Sequence, residues 1–507
     1  MKAIKKIFIL TAGILFTAGS CKNLDVSPSD AISTGTLVGT ADGLTNALNG
    51  AYALFKDHIE FNGTVDQNNM YLRQFYHLSD FASDDIVNGQ VTEDPLFYSF
   101  NLSHSPAQGN TRYFWYVSYK IINGVNTVID AVEKLPAQDA KTKQLLGECY
   151  FLRAFCHFNL VRIFAKPYSV DPTSPGIILR TTADEPAQKA RATVQEVYDS
   201  VIADAEKAAE LMTAPRGVMY ATQEAANALL ARVNVYKEDN AKATEYANKV
   251  INSGKFSLAT KDTYPSLFAN ATTSTETIFC VAFTPVDDYG KFGSIASMIY
   301  SDGNSGWGEE FASSSLRAAM APHPEDVRWS YIVPAKDDNG KVQKLNGIEK
   351  YYISKFSFQN GLPNLSSPIM FRLAEMYLIR AEAEAKTGNT AGALDDVDMI
   401  RKNRGLEASL YNKALPAGKT ALDLVLQEKR IEMAFEGHRT YDVFRNKRTL
   451  NKAYWGYHLP GLKETDIDLS KTPTGFANLS VEYTNPRTIY FIPIDEILSN
   501  HLAVQNP

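Results

Sequence analysis

Four cysteines in 507 residues are too few to staple a chain of this size. Cys21 follows an apolar leader, and the three that remain are an odd number, which argues against a disulfide framework. Cys149 and Cys156 stand i, i+7, about 10 Å apart if helical and too far to bridge. They read as small core hydrophobes, and a disulfide from Cys280 would need a partner brought in by the fold. Histidine is scarce as well. The eight present never fall at i, i+3 or i, i+4, and no His-Glu-x-x-His occurs, so no metal site is expected. No phosphate-cradling glycine loop is present. Gly303-Asn-Ser-Gly306 is one residue short of a nucleophile elbow and runs into another glycine-rich turn. Neither sign of charge dominates: a net charge of −6 and a pI near 5.9 do not favour a nucleic-acid partner. After the first twenty residues no apolar run is long enough to span a bilayer. The expectation is a non-enzyme without a cofactor, although a glycosidase needs only two spaced carboxylates, which a linear sequence leaves open.

The chain does have ample core material, 45% hydrophobic against 21% charged, an ordinary globular balance. Lys2, Lys5 and Lys6 precede an apolar run from Ile7 to about Ala18, too short for a membrane span, so residues 1–20 read as a secretory signal. Ala18-Gly19-Ser20-Cys21 looks like a lipobox, which would make Cys21 the acylated first residue; the alternative is a soluble secreted protein cut elsewhere. Residues 21–40, polar and carrying Pro28 and Gly35, read as a tether.

Leu44, Leu48, Ala51, Tyr52 and Phe55 then give a helical stripe. From Gln144 to Phe164, apolar residues line both sides of the helix, the mark of burial among other helices. Ala228–Ala243 can be laid on Leu378–Ala393: in each, a helix ends in a short polar turn and another begins, with Ala247 and Val250 matching Val397 and Ile400. Small residues facing across such a hairpin are a tetratricopeptide pattern. Asp395, Asp396 and Asp398 on the second copy read as a solvated face. Between Ser253 and Pro368, prolines, glycines and aromatics dominate. Thr277–Phe283 alternates like a strand, and Asp337-Asp-Asn-Gly340 reads as a hairpin turn.

Leu426–Arg445 is the densest block. Leu424, Ile431 and Phe435 share a helix face, Glu428 sits at its edge, and Gly437 is placed to cap the helix. Carboxylates before the glycine with Arg439 and Arg445 after it suggest an internal salt-bridge clasp; Glu432 and Glu436 as an acid/base pair is the alternative.

This block, with Phe435-Glu-Gly-His-Arg439 and Tyr441-Asp442, resembles the C-terminal signature of the SusD/RagB family. Gly147–Val161 looks like that family's central helix, Phe371–Ala385 like its late helix, and Ile492–Asn500 with Gln505-Asn-Pro507 like its terminus. With the leader, the resemblance spans essentially the whole chain. Departures are small: Lys429 where Arg is usual, Ala165 where Gly is usual, and no terminal Gly-Tyr. The resemblance implies a mainly α fold of tetratricopeptide-like hairpin repeats (about 41–57, 107–253 and 367–450). A loop-rich lobe with a few short strands (about 58–106, 254–366 and 451–490) would carry the ligand. It further implies a Bacteroidetes outer-membrane lipoprotein held by lipid on Cys21. Such a protein captures an oligosaccharide and passes it to a SusC-type TonB-dependent barrel. Peptide capture, as in the RagB branch, is the alternative, and a glycan-degrading enzyme a more distant one.

Sugars are held by flat aromatic faces with polar groups for the hydroxyls. Trp307, between glycines in Asp302–Glu310, is the platform candidate, with Tyr300 upstream as a second. Arg73, Asp80, Asp84 and Asp85 lie in the early segment where family members place polar ligand contacts. Trp115 and Trp329 read as core, whereas Tyr98, Tyr351 and Tyr352 fit either role.

If Cys21 is the anchor, Cys21→Ala should release the protein from the outer-membrane fraction or leave it uncleaved. A Cys21→Ala protein still held in that fraction in cells lacking the barrel would contradict acylation as the anchor.

Overall fold

Alanines and short polar side chains at helix starts set the frame of this chain. Its structure, a computed structural model, describes residues 40–90, 97–184, 186–452 and 480–507. The leader, Cys21 and the tether before Thr40 fall outside the described residues. Helices α1 (Ala41–Ala53) and α2 (Tyr71–Asp80) are followed by α3 (Gly109–Glu133), α4 (Ala140–Phe164), α5 (Val194–Leu211), α6 (Gln223–Lys237) and α7 (Asn240–Ile251). After a long insertion come α8 (Leu373–Lys386), α9 (Thr390–Asn403), α10 (Ala421–Glu432) and α11 (Arg439–Arg445).

Each helix from α3 to α9 packs on the next, and α10 closes on α8 and α9. This is the expected mainly α fold built from hairpins. Side-chain oxygens cap the helix starts: Asp139 for α4, Thr193 with Glu196 in a capping box for α5, Thr222 for α6, Asp239 for α7 and Asn389 for α9. Each satisfies an amide that would otherwise lack a partner. Ala243, Ala247 and Val250 on α7, and Ala393, Val397 and Ile400 on α9, are all buried, as the repeat pattern predicts. Every residue of α4 from Gln144 to Phe164 is buried. Cys149, Cys156 and Cys280 are free and buried. The solvated-face reading of Asp395–Asp398 needs correction at Asp396, which is buried and takes both Arg380 nitrogens at 2.6 and 2.7 Å.

The strands are short and paired in twos. β1 (Ile86–Asn88) pairs with β3 (Glu310–Ala312), β2 (Thr277–Cys280) with β6 (Ile369–Arg372), and β4 (Ile332–Pro334) with β5 (Tyr351–Ile353), all antiparallel. Thus the chain leaves the helical frame at β2 and re-enters it beside β2 at β6, with 281–368 as an insertion between them. At the other end of the chain, Asn506 donates its side-chain amide to the carbonyls of Phe164 and Tyr490 at 2.8 and 2.6 Å, tying the terminus to α4.

Glu428 and Glu432 on α10 and Glu436 just after it are buried, but their partners are not those expected from the local sequence. Glu432 accepts from Arg372 at 2.6 Å, Arg404 at 2.7 Å and Arg328 at 3.2 Å. Glu276 joins Arg372 at 2.8 Å and Arg404 at 3.2 Å. Glu436 takes Arg372 and Lys355 at 2.8 and 2.7 Å. Glu428 takes Arg328 at 2.6 Å and Arg401 at 3.0 Å. Arg439 instead grips Asp84 at 2.7 Å, while Arg445 joins Glu382 at 2.5 Å and Asp442 at 2.6 Å. The clasp is therefore long-range rather than internal to one hairpin. Lys429 bridges Glu382 and Asp442 at 3.3 and 3.1 Å, supplying the charge, though not the fork, of an arginine.

Gly437 also does something other than cap a helix. α10 stops at Glu432, and Gly437 has φ 78° with its amide on the Asp80 carboxylate at 3.0 Å. A Cβ there would lie 2.7 Å from the Phe75 ring. Only glycine meets both demands.

Burial alone would raise the Glu432 carboxyl, but Arg404 and Arg372, then Arg328, hold it well below the ordinary carboxylate range. Glu432→Gln would leave three buried guanidiniums short of charge, and we expect it to cost about 3–5 kcal/mol in denaturant unfolding. Asp395→Asn, in a pair with its carboxylate 52% exposed, should cost less than about 1 kcal/mol. Because the folded pKa of Glu432 is depressed, its contribution is complete above the unfolded value near ~4.3 and is lost as pH falls through the folded one. Equal costs for the two variants would contradict the assignment.

Candidate functional site

The insertion between β2 and β6 carries the three most exposed aromatic side chains among the described residues. Trp307 is 44% exposed, Phe292 57% and Phe358 43%, high values for such large apolar groups. Phe292 meets Trp307 edge-to-face at 5.7 Å. Tyr300, half-buried, meets Phe358 at 5.2 Å and Tyr352 at 5.9 Å. Tyr352 in turn leans on buried Phe311 at 5.7 Å.

The backbone holds these rings in one place. The amides of Trp307 and Gly308 both donate to the Ser297 carbonyl, at 2.6 and 3.1 Å, and Glu309 N–H donates to Met298 at 2.8 Å. Gly306 and Gly308 allow this approach. A Cβ at the first would fall 2.1 Å from the Tyr300 carbonyl oxygen, and one at the second 2.7 Å from the Tyr352 ring. Trp307 is therefore presented outward by glycines pressed inward on either side. Upstream, Asp302 accepts from the Asn304 and Ser305 amides at 2.9 and 2.8 Å and from the Ser305 hydroxyl at 2.6 Å. The Ser305 hydroxyl and these amides hold its carboxyl at about 2, so it stays ionised across the ordinary pH range. Downstream, β3 anchors the loop to β1. Phe358 sits at φ 72°, a left-handed backbone that costs about 1–3 kcal/mol for a non-glycine residue, with its amide donating to Leu362 at 2.9 Å.

Trp307 and Tyr300 are thus at a surface, together with Phe292, Phe358 and Tyr352. The other four candidates are not. Arg73, Asp80, Asp84 and Asp85 are all at most 4% exposed. The early segment folds residues 71–80 into α2, which is buried on every side, so the loop expected there is largely interior. Asp84 takes Arg439 and Arg430 at 2.7 and 3.2 Å, Asp85 takes Arg430 at 2.7 Å, and Asp80 receives the Gly437 amide. Their oxygens belong to the frame, not to a ligand cleft. Arg73 serves the site indirectly, donating to the Phe292 carbonyl at 2.8 Å. Trp115 is core, as expected, with its indole nitrogen donating to Glu496 at 3.1 Å. Trp329 is only half-buried, and its indole donates to the His323 carbonyl. Tyr351 lies under the Arg317 guanidinium at 3.8 Å, and Tyr98 is exposed.

Phe292 and Phe358 were missed from sequence, although Gly290-Lys-Phe-Gly293 repeats the signal found at Trp307, an aromatic between glycines. Clefts also open elsewhere among the described residues. One of about 780 Å³ lies by Phe61, Trp115 and Tyr116. Another, of about 660 Å³, lies by Gln427, Arg439 and Arg448. Several charged groups in them are matched: Arg112 forks Asp495 at 2.6 and 2.8 Å, Arg439 holds Asp84, and Arg448 meets Asp423 at 2.7 Å. Among the described residues no cluster of His, Cys, Asp or Glu is arranged to hold a metal ion, and no helix is long and apolar enough to cross a membrane.

Comparison with known proteins agrees with the architecture. Residues 22–235 match the family described as "Starch-binding associating with outer membrane", and residues 328–507 match the SusD family. Two curated relatives come from Formosa agariphila. SusD-like protein P38 is 25% identical over 500 residues, covering 89% of this chain and 93% of the relative. SusD-like protein P2 is 27% identical over 496 residues, covering 88% and 91%. Among solved structures, a SusD superfamily protein from Bacteroides thetaiotaomicron superposes with a TM-score of 0.80 at 25% identity, covering 92% of this chain and 99% of that one. Surface glycan-binding protein A from Bacteroides fluxus shares the fold with a TM-score of 0.68 at 20% identity over 92% and 99%.

Proposed function

For a chain that belongs to the SusD/RagB family, we propose capture of an oligosaccharide at the Trp307 face and its delivery to a SusC-type TonB-dependent outer-membrane barrel. The observation that carries this reading is the exposed aromatic group of Phe292, Trp307, Tyr300 and Phe358, held in place by buried hydrogen bonds. Side chains of that kind gain little from facing water. They gain a great deal by lying on the C–H side of a sugar ring, and a ring held in advance loses little entropy on binding. Ser301, Asn304 and Glu309 stand in the same loop to meet hydroxyls. Localisation by lipid on Cys21 at the cell surface completes the reading, because a tethered carrier must hand its cargo to something that crosses the membrane.

Trp307→Ala should weaken binding by about 1–3 kcal/mol, roughly tenfold to a hundredfold, and leave the melting temperature nearly unchanged because the side chain is half outside. Calorimetry with oligosaccharides that a glycan screen identifies, beside a melting curve, checks this. Unchanged binding would move the site elsewhere, and saturable peptide binding with no glycan binding would replace the reading by peptide capture. Detergent extraction of the native protein should also recover a large outer-membrane barrel; recovery of the lipoprotein alone would count against the partner.

A further inference from the structure

Lys291, in the insertion, is held by an aromatic ring and not by a counter-charge. The Lys291 ammonium lies 4.0 Å from the centroid of the Trp307 ring, and among the described residues no carboxylate stands within ion-pair distance of it. The carboxylates nearest in sequence are already engaged. Asp287 pairs with Lys56 at 2.7 Å and with the Thr284 amide and hydroxyl at 2.8 and 2.9 Å. Asp288 accepts the Gly290 amide at 2.9 Å. Asp302 faces its own turn. Lys56, Arg317 and Arg430, likewise half-buried, have found acids, while Arg180 and Arg191 are held by backbone carbonyls. Lys291 has found only the indole.

The indole face attracts the ammonium and fixes a side chain that would otherwise be mobile. Phe292 covers the edge of the same ring, so Lys291 and Phe292 frame one side of a platform that remains 44% exposed. A sugar that meets the exposed part of the ring on the Lys291 side would bring its substituents against a positioned cation. A neutral hydroxyl there accepts a hydrogen bond from the ammonium, with one partner charged. A carboxylate or sulfate accepts one with both partners charged, which adds the Coulomb attraction of an ion pair, and supplies the counter-charge that Lys291 lacks.

Resting on the glycan reading of this face, we infer that its ligand is an anionic oligosaccharide, bearing a carboxylate or sulfate, and that Lys291 selects it. The chemistry shared by the two groups is a multi-oxygen anion on a sugar ring, and the test separates them. Uronate oligosaccharides from polygalacturonate and polymannuronate are titrated against the soluble protein beside their carboxyl-reduced counterparts. Sulfated galactan oligomers are titrated beside desulfated ones, and neutral glucan and galactan oligomers complete the set.

At least one acidic oligomer should bind about threefold to tenfold tighter than its neutral counterpart at low salt, and the ratio should shrink as salt screens the pair. Lys291→Met should bring the ratio close to one, and Lys291→Arg should keep it. Preference confined to uronates assigns carboxylate; preference confined to sulfated oligomers assigns sulfate. A protein that binds a neutral glycan and treats every acidic oligomer no better than its counterpart overturns the inference while the glycan reading stands. A preference that survives Lys291→Met gives the selection to another residue and also overturns it. Binding of no sugar, neutral or acidic, removes both readings.

Discussion

Three guanidiniums meet at one carboxylate inside this protein, and the arrangement of everything around it depends on that meeting. Glu432 ends α10, Arg372 ends β6 at the entrance to α8, Arg404 follows α9, and Arg328 comes from the insertion. Glu276 adds the segment just before β2. Five stretches of chain are therefore fixed to one point, with none of the four residues Glu276, Arg372, Arg404 and Glu432 more than 1% exposed. Apolar residues of the same volume would stabilise such a core equally well or better, because desolvating charges is costly. What the charges add is direction: each guanidinium accepts only a few partner geometries, and a wrong register would leave a charge unpaired in the interior.

That constraint bears on the site through topology. β2 and β6 pair antiparallel at the edge of the charged cluster, so the insertion 281–368 is clamped where it leaves the frame and where it returns. Within it, a second level of fixing comes from backbone hydrogen bonds to Ser297 and Met298 and from the β1–β3 pair. Arg73 on α2 reaches the Phe292 carbonyl, which links the buried helix to the aromatic face.

The helical hairpins were legible because their information is local: apolar spacing, caps and small residues recur within a dozen positions. Arg328, Arg372 and Arg404 were not legible as partners of Glu432, since they lie 104, 60 and 28 residues away. The local sequence offers Arg439 and Arg445, which the fold sends to Asp84 and Glu382. The same blindness made Asp84 and Asp85 resemble ligand contacts; a carboxylate in an irregular segment looks exposed until its distant arginine is known. Trp307 was legible from its flanking glycines, which leave the indole no wall to pack against. Phe358 was not, because its exposure follows from a left-handed backbone at a bulky residue, which composition does not foretell. Lys291 gave no signal, since its isolation is a property of where Asp287, Asp288 and Asp302 turn.

The central claim is that a charge-locked frame carries a separate aromatic face that alone meets the ligand. Hydrogen–deuterium exchange with and without a glycan that binds tests it most directly. The account predicts added protection confined to about residues 289–311 and 351–362. The amides around Glu276, Arg372 and Glu432 should be slow to exchange in both states. Protection that appears instead along α2 or in the cleft beside Phe61 and Tyr116, with the Trp307 loop unchanged, would contradict it.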